Sequence, residues 1–126
     1  HICEGLLLNG GHEDKHVVID PHQDWRFSQL GLQHLEDAGV RDRVEYFDEE
    51  SQTALPRFMK EKRSFDFAFV DGNHHFDYVF LDLFYLGRLL KRGSLIVLDD
   101  YSWAGINKAV SFCVTNLNWE IEDAFN

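Results

Sequence analysis

At 126 residues the chain has room for one domain of ordinary size. Its 44% hydrophobic and 14% aromatic content, with 11 Phe but only 2 Pro and 9 Gly, supplies a core and excludes disordered, collagen-like and linker sequence. Twelve Lys and Arg against 22 Asp and Glu leave a formal charge of −10, a field that repels phosphate backbones and anionic membranes and suits a small ligand, a cationic one or a metal ion.

The opening, His1 to Leu8, lacks the basic flank and small-residue cleavage site of a signal peptide, and no apolar run approaches the roughly 18 residues that span a bilayer. The expectation is a soluble, cytoplasmic chain. Cys3 and Cys113 lie far apart, outside any CxxC or Cys/His cluster, and read as core thiols in a reducing compartment. His16 to Asp20 is a β-branched run closed by an acid and Pro21. Trp25 to Ala38 then places Phe27, Leu30, Leu35 and Ala38 near helical spacing, with Gly39 as a stop. Arg43 to Asp48 is a second strand, and Ser51 to Lys62 a helix whose start is blurred by Pro56.

Phe65 to Asp71 is almost continuously apolar, the pattern of a strand covered on both faces. His75 to Leu90 carries an apolar helical stripe that Gly93 ends, and Ser94 to Asp100 is another buried strand. Ser102 is positioned to cap a helix with Ile106, Ala109, Val110, Cys113, Val114 and Leu117 on one face. Trp119 to Glu122 would open a further strand. Strands alternating with helices imply βαβ units, hence an α/β, doubly wound, mainly parallel sheet in a single domain spanning 1–126.

In such sheets ligands sit beyond the carboxyl ends of the strands. Asp20, Asp71 and the Asp99-Asp100 pair all end strands, and Asp48 to Glu50 follow another. An acid in this place either caps the next helix or serves a ligand, and the residues alone leave both readings open. If the strands ending at Asp71 and Asp99 are neighbours, their tips lie about 5 Å apart. Carboxylates that close raise one another's pKa, and a hard divalent cation relieves the repulsion. Asp20 can accept hydrogen bonds from ribose hydroxyls, and His74 or His75, after the Asp71-Gly72-Asn73 turn, can take a proton from a hydroxyl.

The runs Phe65 to His74 and Ile96 to Trp103 together resemble class I S-adenosylmethionine-dependent methyltransferases, nearest the small-molecule group that holds catechol and caffeoyl-CoA O-methyltransferases and cephalosporin-hydroxylase-like proteins. The resemblance runs from about His16 to Trp119. It implies methyl transfer from S-adenosylmethionine to an oxygen of a small-molecule acceptor, with Mg²⁺ or another divalent cation as an optional cofactor. It places Asp20, Ser51, Gln52, Asp71 and Gly72 at the cofactor. Asp71, Asp99 and Asp100 fall at the metal, with Asp100 standing where the family usually has Asn. The catechol-type lysine base has no lysine counterpart here; His74 or His75 occupies its region, and either is the candidate catalytic base.

The resemblance also exposes an absence. No GxGxxG-like run is present, Gly10-Gly11 follows a helical segment, and the chain resembles a domain entered after its first strand and cut before its last. A longer natural protein, or a strand from another chain, is the expectation, and a second copy of the chain is the one protein partner left open. Competing readings are a metal-dependent hydrolase caged by Asp71, His74, His75, Asp99 and Asp100, a non-catalytic nucleotide-binding module, and, ranked lower, a nicotinamide-binding domain.

Overall fold

A computed structural model describes residues 1–9 and 14–123. The Gly10-Gly11 pair lies outside the described residues. The chain packs as two compact units, His1–Ala54 and Leu55–Asn126.

The first unit opens with α1 (Ile2–Leu8), which buries Cys3. It continues through β1 (His16–Ile19), α2 (Leu30–Asp37), a 3-10 turn over Arg41–Arg43, β2 (Val44–Phe47) and the start of α3 (Ser51–Lys60). Strands β1 and β2 pair in parallel, with His16 opposite Val44 and Ile19 opposite Phe47. The ladder runs one step further, because the Asp20 N–H donates to the Phe47 carbonyl at 3.1 Å.

The helix expected from Trp25 shrinks to Leu30–Asp37. Its first half is a chain of turns that ends with Ser28 at φ 48° and Gln29 at φ 58°, left-handed values that no α-helix propagates. Trp25 is 71% exposed, its ring edge-on to His22 at 5.1 Å rather than packed in the core. Pro56 lies well inside α3, whereas the sequence admitted it only near the first turn. Ala54, Leu55 and Phe58 are fully buried on the same helix, and this burial offsets the hydrogen bond that proline cannot donate.

The second unit continues with β3 (Phe65–Val70), α4 (Phe76–Leu89), β4 (Leu90–Leu98) and α5 (Ala104–Leu117). β3 and β4 are parallel, with Val70 opposite Leu98. The core joins Val79 and Leu83 of α4 to Ile106, Ala109, Val110 and Cys113 of α5, with Ile96 and Leu98 of β4 packed against them. Cys3 and Cys113 are free, buried thiols, as expected, and burial pushes the Cys113 pKa up, which keeps it protonated and unreactive.

Several expectations for this half are corrected. β3 and β4 are covered on one face only: Phe67, Phe69, Leu95 and Val97 on the other are between 44% and 51% exposed. Successive strand residues alternate faces, and α4 and α5 both pack on the face that carries Ile96 and Leu98. Gly93 does not end α4; β4 begins at Leu90, and Gly93, at φ 82°, sits where the register slips between Phe65 and Phe67. Ser102 does not cap α5. The Trp103 N–H closes a turn onto the Asp100 carbonyl at 2.9 Å, so that Trp103 becomes the N-cap. Trp119 opens no strand: Asn118 ends α5 in the left-handed conformation, and the Trp119 ring returns to the core against Gly87.

The parallel pairs and the helices that alternate with them make this an α/β, Rossmann-like architecture. No backbone ladder joins the β1–β2 pair to the β3–β4 pair among the described residues.

Two positions test this packing. A Cβ added at Gly105 would stand 2.4 Å from the His74 carbonyl oxygen, backbone that cannot rotate away. Gly105→Ala should therefore lower stability by about 1–3 kcal/mol, despite alanine's better helix propensity, and shift the urea midpoint at unchanged m. Gly87→Ala meets only the movable Trp119 ring, at 2.9 Å, and should cost less.

Tyr46 donates its hydroxyl to the Asp20 carbonyl at 2.7 Å, and burial, followed by the charges of Asp48, Asp20 and Asp24, pushes its pKa from 10.0 to about 12. The folded state thus holds this proton longer than the unfolded chain does. The stabilisation is complete below pH 10, and is lost as the pH climbs toward about 12. In a 295-nm absorbance titration one of the four tyrosines should ionise last, and Tyr46→Phe should remove that step.

Candidate functional site

Candidate residues gather at the carboxyl tip of each parallel pair, and each tip is built from its own unit. In the first, Asp20 follows β1 directly, and its carboxylate is already engaged: Oδ1 accepts the His22 N–H at 2.8 Å and Oδ2 accepts the Gln23 Nε2–H at 2.6 Å. These bonds make Asp20 the organiser of the turns after Pro21, the capping role weighed against ligand binding. Each oxygen keeps a second acceptor site, so a hydroxyl can still be received.

Ser51 and Gln52 form the first turn of α3 and are partly buried. The Gln52 Oε1 is buried without a hydrogen-bond partner among the described residues. A buried acceptor left open costs about 1–3 kcal/mol, which a bound donor removes. A concavity of about 450 Å³ opens beside α2 and is lined by Asp24, Ser28, Gln29, Leu32, Gln33 and Glu36. It contains none of the residues singled out above.

The second tip is tighter. The Asp99 N–H donates to the Val70 carbonyl at 3.0 Å, which extends the ladder one step and brings Asp71 and Asp99 side by side. Both line a small pocket together with Gly72, Asn73 and His74, over a floor of Val70, Leu98, Val79 and Ile106. Partial desolvation, followed by the charge of Asp99, raises the Asp71 pKa; Asp100 raises it further, and His74 opposes both. The tip therefore bears the carboxylate repulsion expected of it. A Cβ at Gly72 would meet nothing within 4 Å, so this side of the turn is open backbone.

Asp100 is turned elsewhere. Its Oδ2 lies 2.6 Å from the His74 Nε2, and its own N–H donates to the Asp99 Oδ1 at 2.8 Å. The His74 ring lies against Trp103, centroid to centroid 4.8 Å. His75 is the N-cap of α4; its N–H donates to the Asn73 Oδ1 at 2.9 Å, and its ring meets the edge of Tyr78 at 6.5 Å. Only His74 of the two histidines borders the pocket.

Among the described residues no three His, Cys, Asp or Glu side chains are grouped to hold a metal ion, so the mixed cage of the hydrolase reading is not assembled. Asp71 and Asp99 nonetheless have the oxygen-donor chemistry of a hard divalent cation, which is commonly held by one or two carboxylates and completed by water. Sequence reasoning missed Tyr46, which anchors the Asp20 carbonyl, and Trp103, which holds the His74 plane. Trp103, four residues beyond Asp99, carried a signal as a bulky ring beside a strand-end acid; Tyr46, inside a strand, carried none.

Among the described residues no helix is long and apolar enough to cross a membrane. A sequence model of the family described as "methyltransferase domain" matches residues 1–101. A probable caffeoyl-CoA O-methyltransferase of Arabidopsis thaliana is 30% identical over 102 residues, covering 74% of this chain and 40% of the relative. From the same plant, tapetum-specific methyltransferase 1 is 34% identical over 77 residues, 60% of this chain and 32% of its own. A putative caffeoyl-CoA O-methyltransferase is 30% identical over 77 residues, 61% of this chain and 32% of its own. The chain spans between 32% and 40% of the length of these curated relatives. It belongs to the methyltransferase-domain family.

Proposed function

We propose that this protein transfers a methyl group from S-adenosylmethionine to an oxygen of a small molecule, with Asp71 and Asp99 available to a divalent cation and His74 available to the departing proton. The observation that carries the reading is the second tip: two adjacent carboxylates, one with a raised pKa, share a pocket with a single histidine. Asp20, Ser51 and Gln52 serve the nucleoside in this reading. The open Gln52 acceptor suits an adenine amino group, and the spare acceptor sites of Asp20 suit ribose hydroxyls. Gly72 leaves backbone free for close approach.

When bound, S-adenosylmethionine supplies an electrophilic methyl group and the cation supplies positive charge beside the acceptor oxygen. The residues of the chain bind and orient. Holding the reacting groups in line contributes on the order of 7–11 kcal/mol toward lowering such a barrier. His74 receives the hydroxyl proton. The acceptor is a small molecule rather than nucleic acid or a membrane surface, consistent with the charge of −10. Two free buried thiols suit the cytoplasm, and a second copy of the chain is the protein partner this reading retains.

Calorimetry should show heat on adding S-adenosylmethionine to the protein, and Gln52→Leu should weaken binding about tenfold, the loss of roughly one hydrogen bond. No heat from the wild type would sink the methyltransferase reading. Asp71 separates function from stability. Its raised pKa means that ionisation disfavours the folded state, so stability falls as the pH rises past the ordinary carboxylate range. Asp71→Asn should raise the melting temperature at pH 7 in metal-free buffer. It should also abolish the further rise that Mg²⁺ gives the wild type and suppress Mg²⁺-dependent methylation of caffeoyl-CoA as a trial acceptor. Undiminished Mg²⁺ stabilisation in the variant would remove Asp71 from the cation.

A further inference from the structure

We infer that Asp100 is a positioning residue for His74: its carboxylate accepts from Nε2–H, holds the neutral ring in that tautomer, and leaves Nδ1 as the only ring nitrogen able to take a proton. The inference rests on the methyltransferase reading, in which His74 is the proton acceptor, and adds which atom accepts and what sets it. It also gives Asp100 a function other than the metal ligation that the resemblance implied.

Two contacts restrict the ring and a third fixes the backbone that carries it. Oδ2 of Asp100 lies 2.6 Å from Nε2, a short distance typical of a charge-assisted bond. An ionised carboxylate has no proton to give, so the proton between them belongs to the imidazole whenever that ring is neutral. Trp103 lies against the ring at 4.8 Å and 42° and limits its rotation. The His74 backbone is held in turn, because bare Gly105 brings the first turn of α5 directly onto the His74 carbonyl.

Asp100 itself is set with care. It is left-handed, φ 53°; its N–H is tied to the Asp99 carboxylate, and its carbonyl accepts the Trp103 N–H. Asn and Asp are the non-glycine residues that adopt this conformation most readily. The same backbone twist that ends β4 therefore aims the Asp100 side chain across to His74. In the proton-transfer step the acceptor's O–H bond breaks with its electron pair remaining on oxygen, and the proton passes to Nδ1. The resulting imidazolium stays paired with the Asp100 carboxylate.

The test is nitrogen-15 NMR of the histidine-labelled protein at pH 8, where an ordinary histidine is neutral. His74 signals are assigned by their loss in His74→Gln. The wild type should show the Nε2–H tautomer, with a ring proton shifted by its hydrogen bond. Asp100→Asn keeps the left-handed backbone and a hydrogen-bonding side chain but loses the charge; it should shift both ring nitrogens toward a mixed tautomer, with S-adenosylmethionine affinity within twofold of wild type. A merely structural tie would leave the tautomer unmoved. An Nδ1–H ring in the wild type, or identical nitrogen shifts in Asp100→Asn, would overturn the inference. So would a Mg²⁺ titration that gives the wild type the Asp100→Asn spectrum, since Asp100 would then belong to the cation. Failure to bind S-adenosylmethionine would sink the methyltransferase reading instead and leave the ring pattern as measured.

Discussion

The second unit depends on the approach of the α5 N-terminus to the turn that follows β3, at a distance only a residue without Cβ permits. Gly105 stands so close to the His74 carbonyl and to the backbone of His75 and Phe76 that the two loops beyond the strand tips meet backbone to backbone. Everything of chemical interest there is referred to that apposition. Asp71 and His74 belong to one loop, Asp99, Asp100 and Trp103 to the other, and the buried packing of α4 on α5 fixes the distance between them. A site whose side chains are partly exposed is held in this way by backbone and core as well as by its own hydrogen bonds.

The first unit solves the corresponding problem with polar groups. Asp20 spends both carboxylate oxygens on the turns that follow it, and Tyr46 fastens its carbonyl from the neighbouring strand. The two tips therefore differ in kind. At Asp20 the charge is satisfied by local N–H donors; at Asp71 partial desolvation, and then the crowding of a second carboxylate, raise the pKa. A satisfied carboxylate is suited to neutral hydroxyls and a crowded one to a cation.

Strand positions were legible because parallel strands ending in acids are written as short β-branched or aromatic runs: Val17, Val18 and Ile19 before Asp20, Ile96, Val97 and Leu98 before Asp99. α4 and α5 were equally plain from their apolar stripes. What escaped was governed by single backbone angles or by tertiary cover. Nothing in Ser28-Gln29 announces two consecutive left-handed residues, and Gly93 suits a helix stop as well as a strand irregularity. The exposed face of Phe67 and Phe69 shows the limit of composition: an unbroken apolar run permits burial on two faces, and the structure supplies helices on one. The site residues themselves were legible by position, since every acid that ends a strand was visible. Their partners were not, because His74 and Asp100 are 26 residues apart and meet only once β3 and β4 are paired.

That pairing bears on why an aspartate, rather than a neutral amide, stands at position 100. A third carboxylate beside Asp71 and Asp99 would add to the repulsion already raising the Asp71 pKa. Turned to His74, the same charge is opposed by an imidazole N–H, and its remaining pull on Asp71 is countered by the histidine, the one neighbour that lowers the Asp71 pKa. An amide at this position could hold the left-handed turn equally well but could not oppose a protonated ring. The carboxylate thus makes chemical sense only in company with a histidine, and the two residues form one unit. A lysine in place of His74 would need no tautomer set, and the case for a charged partner at position 100 would vanish with it.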